Sequence, residues 1–173
     1  PLIDGEGEGR PPQRGKLLAY RESPARVSAV LPNYRAGMRA ERSLAIEGDA
    51  LIDTVRLELT GTPRLLGLAF HVQGHAQLGS EFAADRRFAQ GRPASFAHWR
   101  DVTCASFSRQ AAITVAYASG LRLRVTFTAP GEFRVWHARS PDVPPRERES
   151  FYLELAAPAA RTTFTTTLVV DRP

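Results

Sequence analysis

Residues 121–128 read Leu-Arg-Leu-Arg-Val-Thr-Phe-Thr. Leu121, Leu123, Val125 and Phe127 alternate with Arg122, Arg124, Thr126 and Thr128, a period of two that puts the apolar set on one face of a strand and the polar set on the other. The same rhythm runs through Val55, Leu57 and Leu59 against Arg56, Glu58 and Thr60. Further apolar sets follow: Leu66, Leu68, Phe70 and Val72; Ile113, Val115 and Tyr117; Phe133 and Val135; Phe151, Leu153 and Leu155. A last run, rich in Thr and Val, spans 161–170.

Turn-forming residues separate these runs at Pro32-Asn33, Glu47-Gly48-Asp49, Gly61-Thr62-Pro63, Ser119-Gly120 and Pro130-Gly131. Strands at hairpin spacing with no sustained helical period predict an all-β fold, a two-layer antiparallel β-sandwich, with an open barrel as the alternative. Residues 79–96 are the least strand-like and read as a long excursion over the surface. Within them Ser80 is placed to cap a short helix over 80–89. Three prolines in 141–145 predict an extended connection.

A chain of 173 residues is one domain, 1–173, large enough to bury a core without a staple. Its single cysteine, Cys104, has no internal partner and reads as a buried, inert thiol. No apolar run approaches the roughly 20 residues of a membrane-spanning helix. The sequence opens on Pro1, so it is expected to continue upstream in a longer precursor. Net charge is +5, and the basic excess is concentrated in 61–140, where ten Arg stand against four acidic residues. No basic block, zinc pattern or recognition helix accompanies that charge, so nucleic acid is not an expected partner.

His71, His75, His98 and His137 follow no metal-ligand spacing. The four-residue step from His71 to His75 would join the two on a helix, but the surrounding alternation says strand, which leaves structural hydrogen bonding. The Asp4-Gly5-Glu6-Gly7-Glu8-Gly9 stretch lacks the ligand order of a calcium loop and reads as a flexible turn. More suggestive is aromatic next to arginine, since sugar rings stack on flat side chains while their carboxylates pair with guanidinium. Arg134 and Trp136 project opposite to Phe133 and Val135, and Trp99 stands beside Arg100. These four are the candidate substrate-binding residues; the alternative is that the tryptophans are packed under other parts of the fold.

Several segments taken in order carry a resemblance. Leu2-Ile3-Asp4-Gly5-Glu6-Gly7-Glu8 resembles a "VDGxxQ" strand and turn, with Glu8 in place of Gln. Arg39 and Arg42 followed by Asp49-Ala50-Leu51-Ile52-Asp53-Thr54-Val55-Arg56 look like an Arg-strand-Asp pair, and Leu68-Ala69-Phe70-His71-Val72-Gln73-Gly74-His75 like a "yvfHgxG" strand. Pro144-Pro145-Arg146, Phe151-Tyr152-Leu153 and Thr163-Phe164 to Leu168 resemble a closing element. The succession is similar to the C-terminal β-sandwich of heparinase II/III-like polysaccharide lyases. That resemblance implies a parent enzyme, periplasmic or secreted, in which an N-terminal α/α toroid carries most of the machinery for β-elimination of uronate-containing polysaccharide. It implies no cofactor in this chain, a zinc in the parent held by residues ahead of Pro1, and a structural role for His71. The expected partners are an acidic polysaccharide and the toroid. On this view the chain alone has no catalytic residues and serves as scaffold and substrate-side domain. The alternative is a stand-alone carbohydrate-binding module for acidic polysaccharide.

Overall fold

The computed structural model describes residues 1–9, 14–143 and 146–171. The strands in chain order are β1 (Leu2–Ile3), β2 (Lys16–Arg21), β3 (Arg26–Arg35), β4 (Met38–Glu47), β5 (Ala50–Leu59), β6 (Leu66–Val72), β7 (His75–Gln77) and β8 (Ala83–Ala84). After one 3₁₀ turn (Ala94–Phe96) come β9 (Arg100–Phe107), β10 (Gln110–Ala116), β11 (Arg122–Thr128), β12 (Phe133–Pro141), β13 (Glu147–Leu155) and β14 (Arg161–Asp171). They form two antiparallel sheets, one of six strands in the order β1-β6-β13-β12-β9-β8 and one of eight in the order β2-β3-β4-β5-β14-β11-β10-β7. The fold is therefore the β-sandwich that the alternation predicts.

The alternating stretch Arg122–Thr128 forms β11. Val125 and Phe127 are fully buried while Arg122, Arg124 and Thr128 face solvent, and Leu121 lies just outside the strand. Phe127 meets two rings of the opposite sheet, Phe70 edge-on at 5.5 Å and Phe151 at 5.6 Å between centroids. Around this contact the core closes with Leu57, Val115 and Phe164 from the eight-stranded layer and Leu66, Phe133, Val135 and Leu153 from the six-stranded one. Burial of these side chains is the main force holding the layers together.

Four local expectations are corrected. There is no helix over 80–89: Ala83 and Ala84 pair with Cys104 and Thr103 as an edge strand, and Asp85 N–H donates to Val102 O at 2.9 Å. The chain tracks the sheet edge there because Phe88 has to reach the sheet surface, where it is buried. Pro32-Asn33 is not a turn. It lies inside β3, where the register with β4 shifts between Leu31 and Arg35, and such an irregularity accommodates a residue that cannot donate to the ladder. The reversal comes later, at Gly37 with φ +75°. The connection after β12 is not extended: Arg146 N–H donates to Val143 O and Asp142 N–H to Arg146 O, both at 3.0 Å, which closes a hairpin. Pro144 and Pro145 themselves lie outside the described residues. Finally, the acidic N-terminal turn is pinned. Asp4 accepts from the Leu65 N–H at 3.0 Å and pairs with Arg64, and Glu6 pairs with Arg35 at 2.6 Å.

Candidate functional site

β13 is buried on both faces from Glu149 to Leu155, which a two-layer sandwich alone does not explain. The third layer is the excursion 85–99, folded over the outer face of the six-stranded sheet. Phe88 and Phe96 pack there against Trp136 of β12 and Tyr152 of β13, with ring centroids 5.6 Å apart for Phe88 and Trp136 and 5.1 Å for Phe96 and Tyr152. Tyr152 fits under this roof because the residue diagonal to it in β6, registered opposite Glu154, is Gly67. A Cβ at that position would lie 2.5 Å from Leu153 O and 2.7 Å from Tyr152 Cε2.

Arg92 locks the roof. Its guanidinium sits 4.4 Å from the Trp136 ring centroid, 4.7 Å from Phe88 and 5.1 Å from Tyr152, and its two terminal nitrogens each reach a Glu154 oxygen at 3.4 Å. Glu154 also accepts from Tyr152 Oη at 2.5 Å. Burial, and then the neighbouring Glu154 carboxylate, push the Tyr152 hydroxyl far above its ordinary value, so it remains a donor. Trp136 Nε1–H donates to Asp85 Oδ2 at 2.9 Å, a second tie between roof and sheet. Cys104, on the same face, is half-buried, and desolvation raises its thiol to about 11, so it stays protonated and unreactive.

Where the roof ends, it leaves a groove of about 330 Å³ against the sheet. One wall is aromatic, from Phe96 and Trp99; the floor is polar, from His71 of β6, Ser140 of β12 and Arg148 of β13; His98 stands at the rim. His71 is registered directly opposite Ser150, and its Nδ1 lies 2.8 Å from Ser150 Oγ, which is 2.5 Å from Ser140 Oγ. Both hydroxyls can rotate to pass a hydrogen bond along this chain. Burial, and then the charge of Arg148, lower the His71 ring to about 4, so it is neutral near pH 7. Arg148 has no carboxylate partner among the described residues, and its Nε is buried without a hydrogen bond. The groove therefore combines a guanidinium without a carboxylate partner among the described residues, a neutral imidazole, a hydroxyl and flat ring surface.

The four sequence-predicted residues do not form one surface. Trp99 lines the groove while stacking on Phe88 at 5.4 Å. Trp136 does point away from the core, but its ring is only 3% exposed, and the position a sugar would take on it is filled by Arg92. Arg100 is exposed and pairs with Glu147 at 3.4 Å; Arg134 is exposed on the β12 face near Cys104. The sequence does not single out Arg148, Ser140 or Ser150, and His98 reads there only as a structural histidine. Nothing in their local sequence marks them, because β6, β12 and β13 bring them together only after pairing.

The remaining histidines lie elsewhere. His71 and His75 sit in different sheets, and His137 at one end of the inter-sheet core bonds Glu149 through Nε2, with His75 Nδ1 3.6 Å from the other Glu149 oxygen. Among the described residues no group of three or more His, Cys, Asp or Glu side chains is arranged to hold a metal ion. No helix among them is long and apolar enough to cross a membrane.

The fold defines the class as a two-layer antiparallel β-sandwich with a roofed outer face. No family model matches the chain, and no curated protein does. Among solved structures it is similar to the Slr1438 protein from Synechocystis sp. PCC 6803, at 9% sequence identity and a TM-score of 0.47; the match covers 92% of this chain and 66% of that one.

Proposed function

We propose that this chain is the non-catalytic sandwich domain of a heparinase II/III-like polysaccharide lyase, and that its outer groove holds a uronate residue of the polysaccharide. The observation that carries the reading is Arg148: a partly buried guanidinium, unpaired among the described residues, beside the aromatic wall of Trp99 and Phe96. A sugar carboxylate completes the charge pair through charge-assisted hydrogen bonds, while the ring lies against the indole. Hydroxyls of the sugar find Ser140 and His71, both held from behind by the buried Ser150 hydroxyl. The succession of lyase-like segments through the sequence supports the same reading.

The groove suits binding better than elimination. A histidine titrating near 4 is a weak base for removing a sugar C5 proton, since an effective general base titrates close to the working pH. The acid–base steps are accordingly assigned to the toroid of the parent. The test is an NMR titration with a short oligouronate and with its carboxyl-reduced, neutral counterpart. Shifts confined to groove residues and seen with the acidic sugar alone are expected. Equal responses to both sugars, or none, would remove the reading, and release of unsaturated uronate by the chain itself would overturn its non-catalytic part.

A further inference from the structure

The hydrogen-bond chain behind the groove ends on a ring with one nitrogen to spare. His71 Nδ1 is held by Ser150 Oγ at 2.8 Å, and Ser150 Oγ lies 2.5 Å from Ser140 Oγ. Nε2 of the same ring has no hydrogen-bond partner among the described residues, and the ring lines the groove together with Arg148. The two hydroxyls suit a charged ring as well as a neutral one. When both ring nitrogens carry a proton, Nδ1–H donates to Ser150, Ser150 turns its own proton to Ser140, and Ser140 turns its proton to the groove, so no donor faces another. The charges around the ring decide when that second proton is held. Arg148 of β13 faces it and His98 of the roof stands at the rim, whereas β12 offers Ser140 and β1 offers Leu2. The carboxylates of these strands are engaged elsewhere, Glu149 with His137, Asp142 with Gln73 and Glu147 with Arg100. Within the chain the ring therefore meets a positive charge without a negative one to offset it; a carboxylate seated on Arg148 reverses that balance.

We propose that the groove takes up a proton together with its acidic ligand: His71 becomes an imidazolium whose Nε2–H donates to the carboxylate paired with Arg148, so that acid strengthens binding. The proton comes from solvent. An imidazolium has no free lone pair, so in this role the ring donates to the ligand and abstracts nothing from it. The inference rests on the proposed function and adds a pH dependence that Arg148 alone would not give, since a guanidinium keeps its charge throughout.

Isothermal titration with a short oligouronate at pH 5 and at pH 7 provides the test, since a carboxyl titrating near 4 is still mostly ionised at pH 5. Return of the ring from about 4 to the ordinary value of 6.5 on binding makes the affinity about 20-fold higher at pH 5 than at pH 7. At pH 5 the same change takes up about 0.9 proton per ligand, read from the difference in heat between two buffers of unlike ionisation enthalpy. His71→Gln is expected to bind nearly equally at both pH values without proton uptake, and His98→Gln to keep both effects. No binding at either pH removes the proposed function and this inference with it. Binding by the unaltered chain that is equally tight at both pH values, or a pH dependence that survives in His71→Gln, overturns the inference alone and leaves the uronate reading standing.

Discussion

Replacing Arg92 with Met removes the charge of the roof lock while keeping most of its length. Glu154 is 7% exposed at its side chain and Arg92 19%, so the loss leaves a carboxylate buried with only the Tyr152 hydroxyl as partner. Breaking one side of a buried pair costs about 3–5 kcal/mol. Lost stacking of the guanidinium on Trp136, Phe88 and Tyr152 adds about 0.5–2 kcal/mol, part of which the methionine thioether recovers. The expected destabilisation for Arg92→Met is therefore about 3–6 kcal/mol. Adding Glu154→Gln removes the stranded charge, so the double variant is expected to recover about 2 kcal/mol of it. An exposed pair such as Arg39 with Glu58 serves as the control and is worth about 0–1 kcal/mol. Urea unfolding gives these values, and the protein carries its own reporter, since its only two tryptophans, Trp99 and Trp136, both belong to the roofed cluster. If the roof opens ahead of the sandwich, their fluorescence shifts red at lower urea than the global transition. Arg92→Met with unchanged stability and unchanged tryptophan emission would refute the lock.

Other consequences are equally direct. The C2 proton of His71 is expected to titrate near pH 4, and Arg148→Gln to move its midpoint upward, since a neighbouring positive charge is one of the two causes of the depression; a midpoint near 6.5 in the unaltered chain would contradict this. By linkage the neutral ring favours the fold fully above about pH 6.5 and progressively less as pH falls toward 4, an effect kept small by the partial exposure of the ring. Gly67→Ala is expected to cost about 1–3 kcal/mol by forcing a methyl into Leu153 O and the Tyr152 ring, so an unchanged urea midpoint would refute that packing. Phe127→Ala is expected to lose about 3–5 kcal/mol, because the ring bridges the two sheets at Phe70 and Phe151; a loss below 1 kcal/mol would show that the sheets do not meet there.

Strand identity could be read from the sequence because a half-buried strand writes its burial into every second residue, as Val125 and Phe127 do. β13 shows the limit of that signal. Tyr152 and Glu154 sit at nominally outward positions yet are buried, because a segment some sixty residues earlier in the chain covers them. The same segment misled the helix assignment: Ser80 has the chemistry of a cap, but the pull of Phe88 into the aromatic cluster outweighs local propensity. Pro32 marked an irregularity in β3 rather than its end. For the site, aromatic beside arginine picks out Trp99, which lines the groove. It could not reveal that Trp136 is occupied by Arg92, nor that His71 and Ser140, from different strands, share one floor with Arg148.

Isothermal titration of Arg148→Gln against the unaltered chain, with an oligouronate as ligand, tests the central claim most directly. The account predicts binding by the unaltered chain and a loss of roughly 10–100-fold in the variant, the worth of a hydrogen-bonded charge, with no change in thermal unfolding. Equal affinity in the two proteins, or no binding by either, would contradict it.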